Sequence, residues 1–157
     1  MDDEDKPIRL KTLTAAENFT HPIIANKLRA MAFDKELSQK SPDEQEQIFK
    51  VAGKLVGEDL LPRIREMLDK KALFGFGKGQ GKNSKLLAVR ALEHIPGPES
   101  AGILEDLVDD KNTLVKAKAQ RALRANEEQT HQQVHREGSA EGSEDTEEDD
   151  NDTTNKK

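Results

Sequence analysis

A five-residue pattern occurs twice in this chain and constrains its fold more than any other feature. The pattern Ala-x-Arg-Ala-Leu starts at Ala88 and again, 31 residues later, at Ala119. A second alignment pairs Gly57 with Gly97 at an offset of 40, which is the same period lengthened by a glycine-rich insertion. Self-similarity at this spacing is typical of stacked helix pairs, in which each pair covers the apolar face of its neighbour. The repeat therefore predicts successive helical hairpins that share one apolar seam.

Local signals around the repeat predict an all-α fold. Pro22 stands at the first position of a helix, where its missing N–H has no cost. The run Ser41-Pro42-Asp43-Glu44 has an N-cap serine and a glutamate placed to complete a capping box. Gly57 ends the helix that follows, and the next apolar helix begins so soon that we expect the two to form a hairpin. No segment has the β-branched and aromatic composition of a strand.

Apolar residues and charge divide the chain into a body and two tails. Residues 1–5 include four acidic side chains, and residues 127–157 include eleven acidic and three basic ones. The part between them has 22 basic and 16 acidic residues. Because the acidic end segment is too poor in apolar residues to offset its ordering entropy, we expect it to be disordered. We predict a charged N-terminal arm or linker over 1–18, a helical repeat domain over 19–126 and an acidic tail over 127–157.

Several classes of function are disfavoured by what the sequence lacks. It has no cysteine for a disulfide or a thiolate metal site, no signal peptide and no apolar run near the roughly 20 residues of a membrane span. The four histidines form no ligand set, since His131 and His135 lack a third ligand at useful spacing. No nucleophile stands in a catalytic motif. We expect a cytoplasmic protein without a cofactor, an enzymatic activity or a membrane contact.

The repeat resembles the HEAT repeat family, in particular the bacterial short HEAT-like repeats of the phycobilin-lyase type. The second helix of such repeats reads Asp, four residues, Val-Arg, then Ala and Ala-Leu. The matching residues in this chain are Asp110, Val115, Lys116, Ala119, Ala122 and Leu123. The preceding copy departs from the pattern with Ser84 in place of valine. The resemblance covers about 49–125 and implies an α-solenoid of two to three helix hairpins whose surfaces bind other proteins.

The glycine-rich insertion contains the residues that we predict to contact a partner. Its spacing fails a phosphate-binding loop, because Phe76 and Asn83 stand where glycine and Ser or Thr would be needed. The simplest interpretation is a flexible loop between helices; the alternative is a basic contact site with two aromatic side chains. The candidate contact residues are Lys70, Lys71, Phe74, Phe76, Lys78, Lys82 and Lys85. For the acidic tail two interpretations stay open: a segment that only keeps the protein soluble, or one that folds back over residues 70–85 and competes with an acidic partner.

These observations favour a non-enzymatic HEAT-repeat scaffold or adaptor that binds a protein partner, whose identity the sequence does not reveal. Self-association through an uncapped end of the solenoid is a further expectation, because two to three pairs are close to the minimum for a stable stack. One alternative is nucleic-acid or other polyanion binding by the basic body. We favour a protein partner over it because the sequence contains no phosphate-binding motif. Another is an accessory subunit of a chromophore lyase.

Overall fold

The computed structural model describes residues 5–69 and 80–138, and every regular element in these ranges is a helix, as the sequence predicts. The α-helices are α1 (Lys6–Ala16), α2 (Pro22–Ala32), α3 (Pro42–Val56), α4 (Leu61–Asp69), α5 (Gln80–Leu92), α6 (Pro98–Val108) and α7 (Thr113–Gly138). Two short 3-10 helices, Lys35–Gln39 and Gly57–Leu60, precede α3 and α4.

The helix boundaries follow from local capping chemistry. The His21 ring accepts a hydrogen bond from the Ile23 N–H at 3.2 Å and caps α2. Ser41 and Glu44 form the predicted capping box at the start of α3, which satisfies two backbone N–H groups that have no partner within the helix. Gly57 ends α3 with a φ of 63°, a conformation that glycine adopts without a steric penalty. The predicted start of α2 at Pro22, the capping box and the end of α3 at Gly57 are confirmed, whereas the His21 cap was not predicted.

The helices pack around α3 and α5. Helix α3 contacts α1, α2 and α5, while α5 contacts α4, α6 and α7, and α6 contacts both α4 and α7. The alanines of the repeated pattern are buried in α5 and α7. Helix α3 therefore lies against α5, and α5 lies against α7.

The prediction that α3 and α4 form a hairpin packed on each other is wrong. The turn between them is short, but α4 packs on α5 and α6, and its connection to α3 runs through the 3-10 helix Gly57–Leu60. Helix α3 packs on α5 instead of on α4. At this crossing a Cβ added to Gly53 would lie 2.4 Å from the Ala91 carbonyl oxygen, so the two backbones approach more closely than any side chain allows.

The N-terminal segment is not an extended arm, because residues 6–16 form α1 on the surface of α3. Leu13 of α1 belongs to the hydrophobic core. The Arg9 guanidinium donates to Glu44 at 2.6 Å, and Lys6 pairs with Asp43 at 3.0 Å. Ion pairs to residues more than 30 positions away hold this helix, which explains why its weak apolar periodicity did not reveal it.

The C-terminal boundary of the helical body also lies further along than expected. Helix α7 continues from residue 126 to Gly138, so residues 127–138 do not begin the acidic tail. The side chain of Gln129 donates to the Glu93 carbonyl oxygen at 3.3 Å, and the Thr130 hydroxyl accepts from the Gly97 N–H at 3.2 Å. These hydrogen bonds join α7 to the chain between α5 and α6. The expected disorder of residues 139–157 lies outside the described residues.

Candidate functional site

The predicted contact residues fall into two groups. Five of them lie outside the described residues: Lys70, Lys71, Phe74, Phe76 and Lys78. The other two, Lys82 and Lys85, lie in the first turns of α5. The structure therefore bears on the position of these two alone.

Lys85 is an internal link between two helices. Its ammonium forms an ion pair with the carboxylate of Asp110, in the turn that precedes α7, and the two side chains are 17% and 11% exposed. The Asp110 carboxylate also accepts a hydrogen bond from the Asn112 N–H at 2.9 Å. A cation held in this way joins α5 to the α6–α7 turn, and its ammonium is not free for a partner.

Lys82 is exposed on one side of an open groove of about 660 Å³ between the start of α5 and the α6–α7 turn. The charged residues that line the groove are Lys82, Lys85, Lys111, Asp106, Asp109 and Asp110. Since lysines and aspartates are equal in number, the groove has no charge preference that would select an anion. Lys82 alone does not make a basic contact site.

The Lys85 pair is one of two links in equivalent positions. At the offset of 40, Lys85 corresponds to Gln45 of α3, whose side-chain oxygen accepts from the Asn83 amide of α5 at 2.9 Å. At the offset of 31, it corresponds to Lys116 of α7. Lys116 is exposed and has no ion pair with another described residue. The series of links therefore connects α3 to α5 and α5 to the turn before α7, and then stops at α7.

The solvent-facing side of α7 forms a surface with several basic side chains. We define the α7 outer face by the exposed side chains Lys116, Ala117, Gln120, Arg121, Arg124 and Glu128. Most of these residues line a shallow hollow of about 370 Å³. The three cations of the α7 outer face, Lys116, Arg121 and Arg124, form no ion pair with any carboxylate whose side chain the structure describes. The hollow is thus a surface of small and polar side chains with unpaired positive charge around it.

The repeated pattern includes Arg121, but the pattern alone does not reveal the α7 outer face. The face is indicated when the residues between the repeated positions are compared in the two copies. Large apolar positions of α5, which are covered in the fold, become small or polar in α7: Leu86, Leu87 and Val89 correspond to Ala117, Lys118 and Gln120. Such a change is typical of a terminal repeat, whose outer face meets water.

The titratable groups with shifted pKa values serve the packing of helices. Burial alone would raise the pKa of Glu17, but hydrogen bonds from Lys50, Lys54 and Gln47 outweigh it and lower the pKa to about 2. The hydrogen bond from Arg9 lowers the pKa of Glu44. Both carboxylates hold α1 against α3.

His94, at the end of α5, has its pKa lowered mainly by burial. It lies half-buried, and its Nε2 atom is buried without a hydrogen-bond partner. Nearby charges act in both directions, since Glu93 raises this pKa whereas Arg90, Lys54 and Lys50 lower it. Because Nε2 has no hydrogen-bond partner among the described residues, His94 is not paired with a nucleophile at that atom.

Neither a metal centre nor a membrane span is found in the part of the chain that the structure describes. Among the side chains that the structure describes, no group of three or more histidine, cysteine or acidic residues is placed to hold a metal ion. No described helix combines the length and apolar character that crossing a bilayer requires.

Comparison with known proteins gives no relative. No protein-family model, curated protein or solved structure matches this chain.

Proposed function

We propose that this chain is a non-enzymatic adaptor of the HEAT type, acting in the cytoplasm, which binds a protein partner on the α7 outer face. One observation carries the proposal. Helix α3 is covered by α5, and α5 is covered by α7, whereas the α7 outer face is exposed and its three cations form no ion pair with another described side chain. An exposed helix face of this kind is a natural place for a second protein to dock.

The solenoid part of the proposal is supported by the equivalence of positions in successive repeats. In it, α2–α3, α4–α5 and α6–α7 are three hairpins, and α3, α5 and α7 are their second helices. Gly57 and Gly97 both have positive φ, at 63° and 124°. Ile64 and Leu104, which the same alignment pairs, are both fully buried. Equivalent residues in equivalent environments are what stacked repeats require.

The distribution of basic residues favours a protein partner over a nucleic acid. Binding along a duplex needs several cations that track phosphates in one continuous groove. Here Lys85 is paired with Asp110, and Arg90 is paired with Glu93 at 2.7 Å. Of the arginines whose side chains are described, those without an ion pair are Arg121 and Arg124 of α7, which line the hollow together with Ala117. Arginine is one of the residues that contribute most often to the binding energy of protein–protein contacts.

Polyanion binding is the second candidate, because Lys116, Arg121 and Arg124 lie on one face of one helix. Such a face could contact two or three phosphates. The first candidate predicts that a protein contacts Ala117, and the second predicts that a nucleic acid or another polyanion does. A single experiment distinguishes them.

The test is site-specific photo-crosslinking of the full chain in its own cells. A photoreactive amino acid replaces Ala117 in one sample and Ala30, an exposed alanine of α2, in the control. We expect a discrete adduct from position 117, absent from position 30, that protease destroys and nuclease leaves intact. A nuclease-sensitive adduct would favour the polyanion candidate. Equal labelling at both positions, or none at either, would contradict the proposal.

A further inference from the structure

The acidic segment that follows α7 is chemically suited to the α7 outer face. Residues 141–152 contain eight acidic side chains and no basic one. The α7 outer face presents Lys116, Arg121 and Arg124 without ion pairs to other described residues. Opposite charges at such short chain separation attract each other even in water, although salt screens them.

We infer that residues 141–152 bind the α7 outer face of the same chain and compete there with an acidic partner, an inference that rests on the proposed function for the identity of the competitor. The chain's own tail is thus the first occupant of the face. An external partner must displace it, and one with more carboxylates or a better apolar fit to Ala117 does so most readily.

The dimensions of the chain allow this contact. Arg124 and Arg121 lie 14 and 17 residues before Gly138, which is roughly 21 and 26 Å along a helix at 1.5 Å per residue. The 14 residues from 139 to 152 can span up to about 46 Å when extended. The acidic segment can therefore turn back beside α7 and reach both arginines with chain to spare. Because segment and face belong to one molecule, their effective concentration is high.

Among the described basic residues, those of the α7 outer face suit the acidic segment better than Lys82 and Lys85, which belong to the region of residues 70–85 that the sequence suggested. Of the two described lysines in that region, Lys85 is already paired with Asp110. Lys82 borders a groove that also holds Asp106 and Asp109. An acidic segment entering this groove would meet carboxylates along it, whereas the exposed carboxylates beside the α7 outer face, Glu127 and Glu128, both lie beyond Arg124 at one end.

Paramagnetic broadening in the full chain tests the contact. Because the chain has no cysteine, Thr153→Cys accepts a single nitroxide label without further changes. We expect salt-dependent broadening of the amide signals of residues 116–124, reduced at least twofold by 0.5 M salt. The double variant Arg121→Glu with Arg124→Glu should lose most of it. The matched control is Lys27→Glu with Lys35→Glu, which makes the same change in net charge at exposed positions of α2 and of the 3-10 helix Lys35–Gln39. This control should keep the broadening.

Three results would overturn the inference. The first is broadening of residues 116–124 that survives the α7 charge reversal. The second is its absence in the wild-type sequence at low salt. The third is broadening of undiminished size when nitroxide-labelled chains without isotope enrichment are mixed with unlabelled, isotope-enriched ones, because it would make a second copy the occupant. Circular dichroism checks that both variants fold, and replacing the acids of 141–152 by amides gives an independent readout on an unaltered helical body.

The cross-linking experiment keeps the two proposals apart. A protein adduct at position 117 without intramolecular broadening would support the partner site and contradict binding of the acidic segment. Intramolecular broadening without an adduct would support binding of the acidic segment and contradict the partner site.

Discussion

At the scale of single residues, a few polar side chains hold whole helices in place. Glu17, just after α1, accepts hydrogen bonds from Lys50 and Lys54 of α3. Asn126 of α7 is almost completely buried and donates to the Ser100 hydroxyl at 2.7 Å and to the Ile95 carbonyl. The first group fixes α1 on α3, and the second fixes α7 on the connection between α5 and α6.

The Glu17 cluster predicts a loss of stability in acid. The pKa of Glu17 is about 2 in the folded chain, against an ordinary value of 4.5. Because the folded-state pKa is the lower one, the contribution of the carboxylate is complete above pH 4.5 and is lost as the pH falls from 4.5 towards 2. Glu17→Gln should lower the free energy of unfolding by about 1–3 kcal/mol at pH 7 and reduce its dependence on pH in that window.

Urea denaturation at several pH values measures this effect. Glu36→Gln, at an exposed position of the 3-10 helix Lys35–Gln39, is the control and should behave like the wild type. If Glu17→Gln retained the full acid dependence, the cluster would not be what secures α1.

The Asn126 network makes a second prediction at this scale. Asn126→Ala opens a cavity and removes a donor from Ser100 and from the Ile95 carbonyl, so we expect the free energy of unfolding to fall by about 2 kcal/mol. Asn26→Ala makes the same substitution at an exposed position of α2 and should change it by no more than about 0.5 kcal/mol. Denaturant unfolding of both variants gives the comparison, and equal effects would exclude a structural role for the network.

At the scale of elements, sequence predicted those helices whose signals are local. The starts of α2 and α3 and the end of α3 depend on residues within four positions of each other, and all were predicted. Helix α1 was missed because its partners, such as Glu44 for Arg9, lie far along the chain. The extension of α7 was missed because polar residues such as Gln129 and Thr130 bury their hydrogen bonds against another segment rather than forming an apolar stripe.

The α3–α5 crossing predicts opposite effects for two glycine substitutions. Gly53→Ala places a methyl group 2.4 Å from the Ala91 carbonyl oxygen, so the helices must separate, and we expect a loss of about 2 kcal/mol or more in unfolding free energy. Gly102→Ala, in α6, meets nothing within 4 Å and should stabilise the chain by about 0.5–1 kcal/mol through helix propensity. Thermal and urea unfolding distinguish them. Comparable stabilities for the two variants would mean that α3 and α5 do not cross closely at Gly53.

At the scale of the whole molecule, the sequence indicated a series of repeats but not which surface remains open. The candidate site was placed on the glycine-rich insertion because it combines lysines and aromatics, yet an ion pair occupies Lys85. The exposure of α7 depends on which helix ends the series, and that is a property of the packed molecule. Self-association through an open end stays a prediction, although the polar α7 outer face is poorly suited to it.

Restoring the apolar residues of α5 at the equivalent positions of α7 tests this view of the end. We expect Lys118→Leu with Gln120→Val to increase self-association relative to the wild type, because the change joins new apolar area to the exposed Leu114, which is 43% accessible. Sedimentation velocity over a range of concentrations measures it. The control Lys118→Arg with Gln120→Asn keeps the positions polar and should match the wild type. Unchanged sedimentation of the apolar variant would show that this side of α7 is not available for contact.

The most direct test is whether the α7 outer face serves binding rather than folding. Arg121→Glu with Arg124→Glu alters only exposed side chains without described ion pairs, so the free energy of unfolding should stay within about 0.5 kcal/mol of the wild type. The same double variant, carrying the photoreactive residue at position 117, should lose its protein adduct by roughly tenfold or more. An adduct of undiminished yield in a folded variant would contradict the assignment of this face.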